Sequence, residues 1–85
     1  MDDTLNNYEV TDRQAFISFL DLLHKDYLAN PDGWENRTLS DFLEALISCT
    51  EDMQGYYDNM KQEINVDHPN WQTFADIFKS ATMYE

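Results

Sequence analysis

Residues 38–64, TLSDFLEALISCTEDMQGYYDNMKQEI, limit what this chain can become. The stretch has no proline and one glycine. On a helix turning about 100° per residue it separates into two faces. Leu39, Phe42, Leu43, Leu46, Ile47, Thr50, Met53, Tyr57, Met60 and Ile64 share an apolar arc of roughly 160°. Asp41, Glu44, Ser48, Glu51, Asp52, Gly55 and Asp58 share the opposite arc, about 120° wide. A strand would alternate its faces every second residue, and this stretch does not. The spacing therefore predicts one long helix with a core side and an acidic ridge. Gly55 costs about 1 kcal/mol against alanine at such a position. The apolar period continues past it, which predicts a helix intact to about Gln62; a helix end near Gly55 is the competing reading. A glycine on the ridge permits close backbone approach by another surface.

The segments on either side repeat the helical period. Residues 1–10 read as an arm, polar at Asp2, Asp3, Asn6 and Asn7, with Leu5, Tyr8 and Val10 able to dock on the body. Thr11-Asp12-Arg13-Gln14 fits a capping box with Thr11 as the cap. The first helix is predicted over about 12–29, with Ala15, Phe16, Phe19, Leu20, Leu22, Leu23 and Tyr27 on its apolar face. Asp26 sits at the edge of that face, where a carboxylate needs a partner. The next loop supplies one, either as hydrogen-bond donors or as Arg37. Asn30-Pro31 ends the helix, because the residue before proline is pushed out of the α region. Trp34 is expected to plug the gap between the first two helices, its indole N–H on a carbonyl. Asn36 or Thr38 caps the central helix. Asn70 caps a third helix over about 71–83, with Trp71, Phe74, Ala75, Ile77, Phe78 and Ala81 inward and Gln72, Asp76, Lys79 and Ser80 toward water. No segment alternates as a strand does. The expected fold is all-α, a compact three-helix bundle with a short N-terminal arm, in one domain over residues 1–85.

Composition bounds what such a bundle does. With 85 residues, 42% hydrophobic and 14% aromatic, it has material for one small core. Its net charge of −12 repels nucleic acid and anionic membrane and favours a basic protein partner. The one cysteine, Cys49, excludes an internal disulfide and suits a reducing cytoplasm. The first residues carry no basic region or apolar run of a signal peptide, and no apolar run approaches the ~20 residues of a membrane span.

The search for chemistry finds little. His24 and His68 are isolated, with no HExxH and no paired Cys/His spacing. The serines lack His–Asp support and a glycine elbow. Two glycines do not make a phosphate-cradling loop. The expectation is no enzyme, no metal and no cofactor; a substrate-sized pocket holding Asp26 or His24 would argue otherwise. The ridge remains. Its carboxylates recur about every 5 Å, more sparsely than the ~3.4 Å phosphate repeat of a DNA strand, so it does not require DNA mimicry. Asp41, Glu44, Glu51, Asp52 and Asp58, with Tyr56 as aromatic anchor, are the candidate partner-binding residues. The plain alternative is a solvated helix face.

Several short motifs are distinctive: Asn30-Pro31, Trp34-Glu35-Asn36, Thr38-Leu39, Phe42-Leu43-Glu44-Ala45-Leu46, Glu51-Asp52-Met53, Gly55-Tyr56-Tyr57, Trp71 and Phe74-Ala75-Asp76-Ile77, with Tyr84 and Glu85 closing the chain. In these the chain resembles a family of short, acidic bacterial proteins of unknown function. The match covers nearly the whole chain and implies fold and bacterial origin, not activity. By analogy, small acidic proteins of this kind are similar to immunity proteins that neutralise toxins. The aromatic–Glu–Asn turn opening an acidic helix also resembles barstar inhibitors, whose parallel sheet has no counterpart here. The functional expectation is a cytoplasmic immunity or inhibitor protein that blocks the basic active site or nucleic-acid-binding cleft of a toxin. The alternatives are an inhibitor of phage-defence or nucleic-acid enzymes and a structural oligomerising module, with a homodimer possible.

Overall fold

The computed structural model describes Leu5 and residues 7–84. Asp2, Asp3, Asn6 and Glu85 lie outside them. Three helices form among the described residues: α1 (Arg13–Ala29), α2 (Leu39–Asn59) and α3 (Trp71–Ala81), with a short 3-10 turn, Pro31–Gly33, after α1. No strand is present among the described residues, and the fold is an all-α three-helix bundle. No helix among them is long and apolar enough to cross a membrane.

Local side chains set where each helix begins. Asp12, not Thr11, caps α1: its carboxylate accepts the Ala15 N–H at 2.7 Å. A negative charge suits the positive end of the helix dipole better than a hydroxyl does. The Thr38 hydroxyl accepts the Asp41 N–H at 3.1 Å and opens α2. Asn70 and Thr73 exchange side-chain-to-backbone bonds at 2.9 and 3.3 Å, a full capping box for α3.

α2 runs unbroken through Gly55 and ends at Asn59. Lys61 takes the left-handed conformation, φ 57°. The Gln62 N–H then reaches back to the Tyr57 carbonyl at 2.9 Å and the Lys61 N–H to the Asp58 carbonyl at 3.1 Å. This pair of bonds is a Schellman motif, normally built on glycine. Ile64, placed on the helix by its period, instead lies in the connector. Gln54 holds it there, donating to the Ile64 carbonyl at 2.7 Å and accepting the Val66 N–H at 3.0 Å.

α3 is the element shared by the whole molecule, packing on both α1 and α2. On one side Leu5, Val10, Phe19, Leu23 and Ala75 form a buried cluster, so the arm does dock. On the other, Cys49, Met53 and Tyr57 form a second, with Ile64, Val66, Ile77 and Tyr84 against it. Aromatic rings link the helices in a file, Trp71–Phe16–Phe78–Phe42–Trp34–Tyr27, with centroids 5.1–6.1 Å apart. Trp34 fills its expected gap, but its indole N–H donates to the Asp26 carboxylate at 2.7 Å rather than to a carbonyl. That bond gives Asp26 its partner; Arg37 pairs with Asp32 at 3.0 Å instead.

The apolar arc of α2 is corrected in one respect. Its buried residues are Ala45, Cys49, Met53 and Tyr57, a line about 60° round the helix from the centre of the predicted arc. Leu39, Leu43 and Ile47, predicted inward, are 73%, 50% and 62% exposed. The reason is shape. Ala45 and Cys49 are small, and they let α3 come close enough for the Cys49 thiol to donate to the Ile77 carbonyl at 3.6 Å. Leucines along that seam would hold the helices apart.

Asp76 is also corrected: it is not a water-facing residue. It accepts the Tyr57 hydroxyl at 2.6 Å and the Gln72 amide at 2.9 Å. Gln72 in turn accepts the Val10 N–H at 2.6 Å, tying arm, α3 and α2 together. Burial, and then the Asp76 carboxylate, push the Tyr57 phenol well above its ordinary 10.0. The folded chain keeps this proton at a pH where the unfolded chain has lost it. The stabilisation is therefore complete below about pH 10 and is lost as pH rises beyond it. Urea unfolding across alkaline pH should show this decline, and Tyr57→Phe should lessen it.

Two surface substitutions test the backbone account of α2. Lys61→Gly should raise stability by about 1 kcal/mol by relieving the left-handed residue. A Cβ at position 55 would meet nothing within 4 Å, so Gly55→Ala should add about 0.5–1 kcal/mol. Urea midpoints measure both.

Candidate protein-docking face

The cap at Thr38 and the stop at Lys61 bound an unbroken run in which every ridge position faces outward. Asp41, Glu44, Ser48, Glu51, Asp52, Gly55 and Asp58 are all exposed. From Asp41 to Asp58 the ridge spans about 25 Å at 1.5 Å per residue. Tyr56 is 48% exposed at its edge and packs edge-on against Tyr57, centroids 5.4 Å apart. The six candidate residues thus lie along one side of one helix.

The ridge is not uniform. Asp41 and Glu44 line a cleft of about 230 Å³ with Asn36, Ala45, Ser48 and Tyr84. Asp52 accepts the Tyr84 hydroxyl, and that hydrogen bond is the main reason the phenol is shifted upward. Asp58 accepts the Gln54 amide at 3.2 Å. Among the described residues the ion pairs are Lys25–Asp21, Arg37–Asp32 and Lys79–Asp76. None of them involves a ridge carboxylate.

Asp41, in the first turn, suits the positive end of the helix dipole, but the rest of this charge works against its own helix. Asp41 and Glu44 are like charges at i,i+3. Asp58 puts a carboxylate at the negative end of the helix dipole, and no basic residue stands in the last turn.

Two residues shape this face in ways the sequence did not indicate: Asn36, read as an alternative cap of α2, and Tyr84. Asn36 pins the end of the chain beside α2. Its amide donates to the Ala81 carbonyl at 2.8 Å and to the Tyr84 carbonyl at 2.6 Å, and its N–H donates to the Thr82 carbonyl at 3.0 Å. Tyr84 then lies over the ridge. The signal was present in Trp34-Glu35-Asn36 and in the closing tyrosine, but a contact across 48 positions has no local period to reveal it.

Other centres are sparse. Asp26 lines a cleft of about 230 Å³ with Leu5, Leu22, Lys25 and Ala29, below the ~300–1,000 Å³ usual for ligand pockets. Its Oδ2 is already taken by Trp34. His24 is exposed on α1. Among the described residues no three His, Cys, Asp or Glu side chains converge to hold a metal ion. Cys49 is 3% exposed, and burial pushes its thiol up, away from the reactive thiolate.

A small helical bundle with its acidic helix turned outward is the class these features define. The chain belongs to the DUF7660 family, a family of unknown function, whose model matches residues 12–85. No curated protein and no solved structure matches it.

Removing the pin tests how the C-terminal residues are held. Asn36→Ala should cost about 1–3 kcal/mol, because two carbonyls lose their donor. It should also shift the NMR signals of Tyr84 while those of α1 stay in place.

Proposed function

We propose that this protein acts by binding, not by catalysis, as an inhibitor of immunity-protein type. The outward face of α2 docks on a basic active site or nucleic-acid-binding cleft of a partner protein, such as a toxin, and occludes it. Asp41, Glu44, Glu51, Asp52 and Asp58 supply the charge, and Tyr56 supplies an aromatic anchor. The observation that carries this reading is a row of exposed carboxylates that joins no ion pair among the described residues. Electrostatic complementarity of this sort speeds encounter more than it deepens affinity, and salt screens it. Gly55, whose missing side chain no internal contact requires, fits a surface that another backbone approaches closely. The same chemistry serves an inhibitor of phage-defence or other nucleic-acid enzymes, and a cytoplasmic location suits either.

The exposure of Leu39, Leu43 and Ile47 favours a second reading, an oligomerising module. The net charge of −12 on every copy opposes it.

Capture of partners from the native cell, with neighbouring genes in view, identifies the target. The decisive variant combines Glu44→Lys, Glu51→Lys and Asp58→Lys. It should slow association by more than about tenfold at low salt. Stability should hold or rise, since a cation at position 58 suits the helix end by about 0.3–1 kcal/mol. Unchanged association would reduce the ridge to a solvated face.

A further inference from the structure

The outward side of α2 carries more than charge. Leu39, Leu43 and Ile47 follow one another a turn apart and are all at least half exposed. Leu39 also lines a notch of about 220 Å³ with Tyr27, Trp34 and Phe42 and the polar Asn36, Arg37 and Thr38, the Arg37 charge being paired with Asp32. Aliphatic row and aromatic notch therefore form one track. The row alone spans about 12 Å, the reach of a helix that anchors through residues spaced i, i+4 and i+7. Contiguous exposed apolar side chains rimmed by polar residues are a mark of interaction surfaces.

We propose that this track receives an amphipathic helix of a basic partner. Its apolar side chains lie on Leu39, Leu43 and Ile47, and one large apolar residue enters the notch. Its lysines or arginines face Glu44 and Glu51, which border the track on the helix circumference. Those two carboxylates fix the sign of the occupant. A second copy of this chain would bring another net charge of −12 to the same face, and antiparallel apposition would set the two glutamate rows against each other. The sign of the partner's charge rests on the function proposed above; the apolar contact rests on the exposed side chains alone.

The probe is a synthetic lysine–leucine peptide about five helical turns long, titrated into the full chain by calorimetry and NMR shift mapping. Its control is the same composition in scrambled order, which keeps the charge and loses the apolar face. The amphipathic peptide should bind at least about tenfold more tightly than the control. Shifts should centre on Leu39, Leu43, Ile47 and the Trp34 indole. Leu43→Ser with Ile47→Ser should lose that margin while its thermal unfolding shows an intact fold. If the two peptides bind equally and only the charge-reversed variant weakens binding, the track is overturned and the ridge survives. If neither variant changes binding, or the amphipathic peptide does not bind, the track falls; in the first case the ridge falls with it. A dimer seen in sedimentation and abolished by the double serine variant would also overturn the proposal, because the track would then be covered by a second copy.

Discussion

Everything on the surface follows from how closely α2 can lie against α3. The buried line of α2 starts with small side chains, Ala45 and Cys49, and continues with Met53 and Tyr57, while Ala75 and Ala81 are fully buried on α3. The seam is closed at one end by Tyr57, whose hydroxyl is fixed on Asp76. Its small end gains dispersion contacts through proximity, and its other end through the bulk of Met53 and Tyr57. It also sets the rotation of α2 about its own axis. With Ala45 and Cys49 inward, Leu43 and Ile47 turn away from that core, while Leu39, in line with the buried Tyr57, is exposed at the first residue of the helix. The acidic ridge lies beyond them, so the helix presents three bands in order: core, aliphatic strip, carboxylates.

That order is what makes a binding role coherent. An acidic helix face alone favours any basic surface and discriminates poorly. An aliphatic strip alone invites self-association. In the docking proposed above, the two side by side would select an occupant that is basic and apolar together, because each band penalises what the other would admit. The Asn36 pin and Tyr84 belong to the same region. They bring the C-terminal residues over the ridge and narrow the cleft beside Asp41 and Glu44. Asp26, the other residue that looked chemical, is spent on structure: it holds Trp34, which holds Phe42 and so the start of α2.

Much of this was legible in the sequence, wherever the signal was local. The three helices follow from apolar period and from caps. Trp34 as a plug and Asp26 as an acceptor for the next loop follow from the cost of leaving either unpartnered. The outward ridge follows from the charge period. What escaped depends on tertiary shape. Hydrophobicity weights Leu43 and Ile47 above Ala45 and Cys49, whereas packing chose the smaller pair because α3 had to come close. Asp76 read as a water-facing residue because its partner, Tyr57, is 19 positions away. Thr11 read as the cap of α1 because it opens a capping box, yet Asp12 takes the place, its carboxylate on the Ala15 N–H. Lys61 gave no warning of a left-handed helix stop, since that motif is ordinarily announced by glycine.

The rotation of α2 is the claim on which both bands depend, and thiol reactivity measures it directly. The native chain carries one thiol, Cys49; a Cys49→Ala chain with Leu43→Cys carries one on the strip. Under native conditions the thiol at position 43 should react with a water-soluble disulfide reagent at least about tenfold faster than Cys49 does, given that burial suppresses the thiolate. If Cys49 reacts as fast as the thiol at 43, or the thiol at 43 is the protected one, α2 faces the other way and the surface described here does not exist.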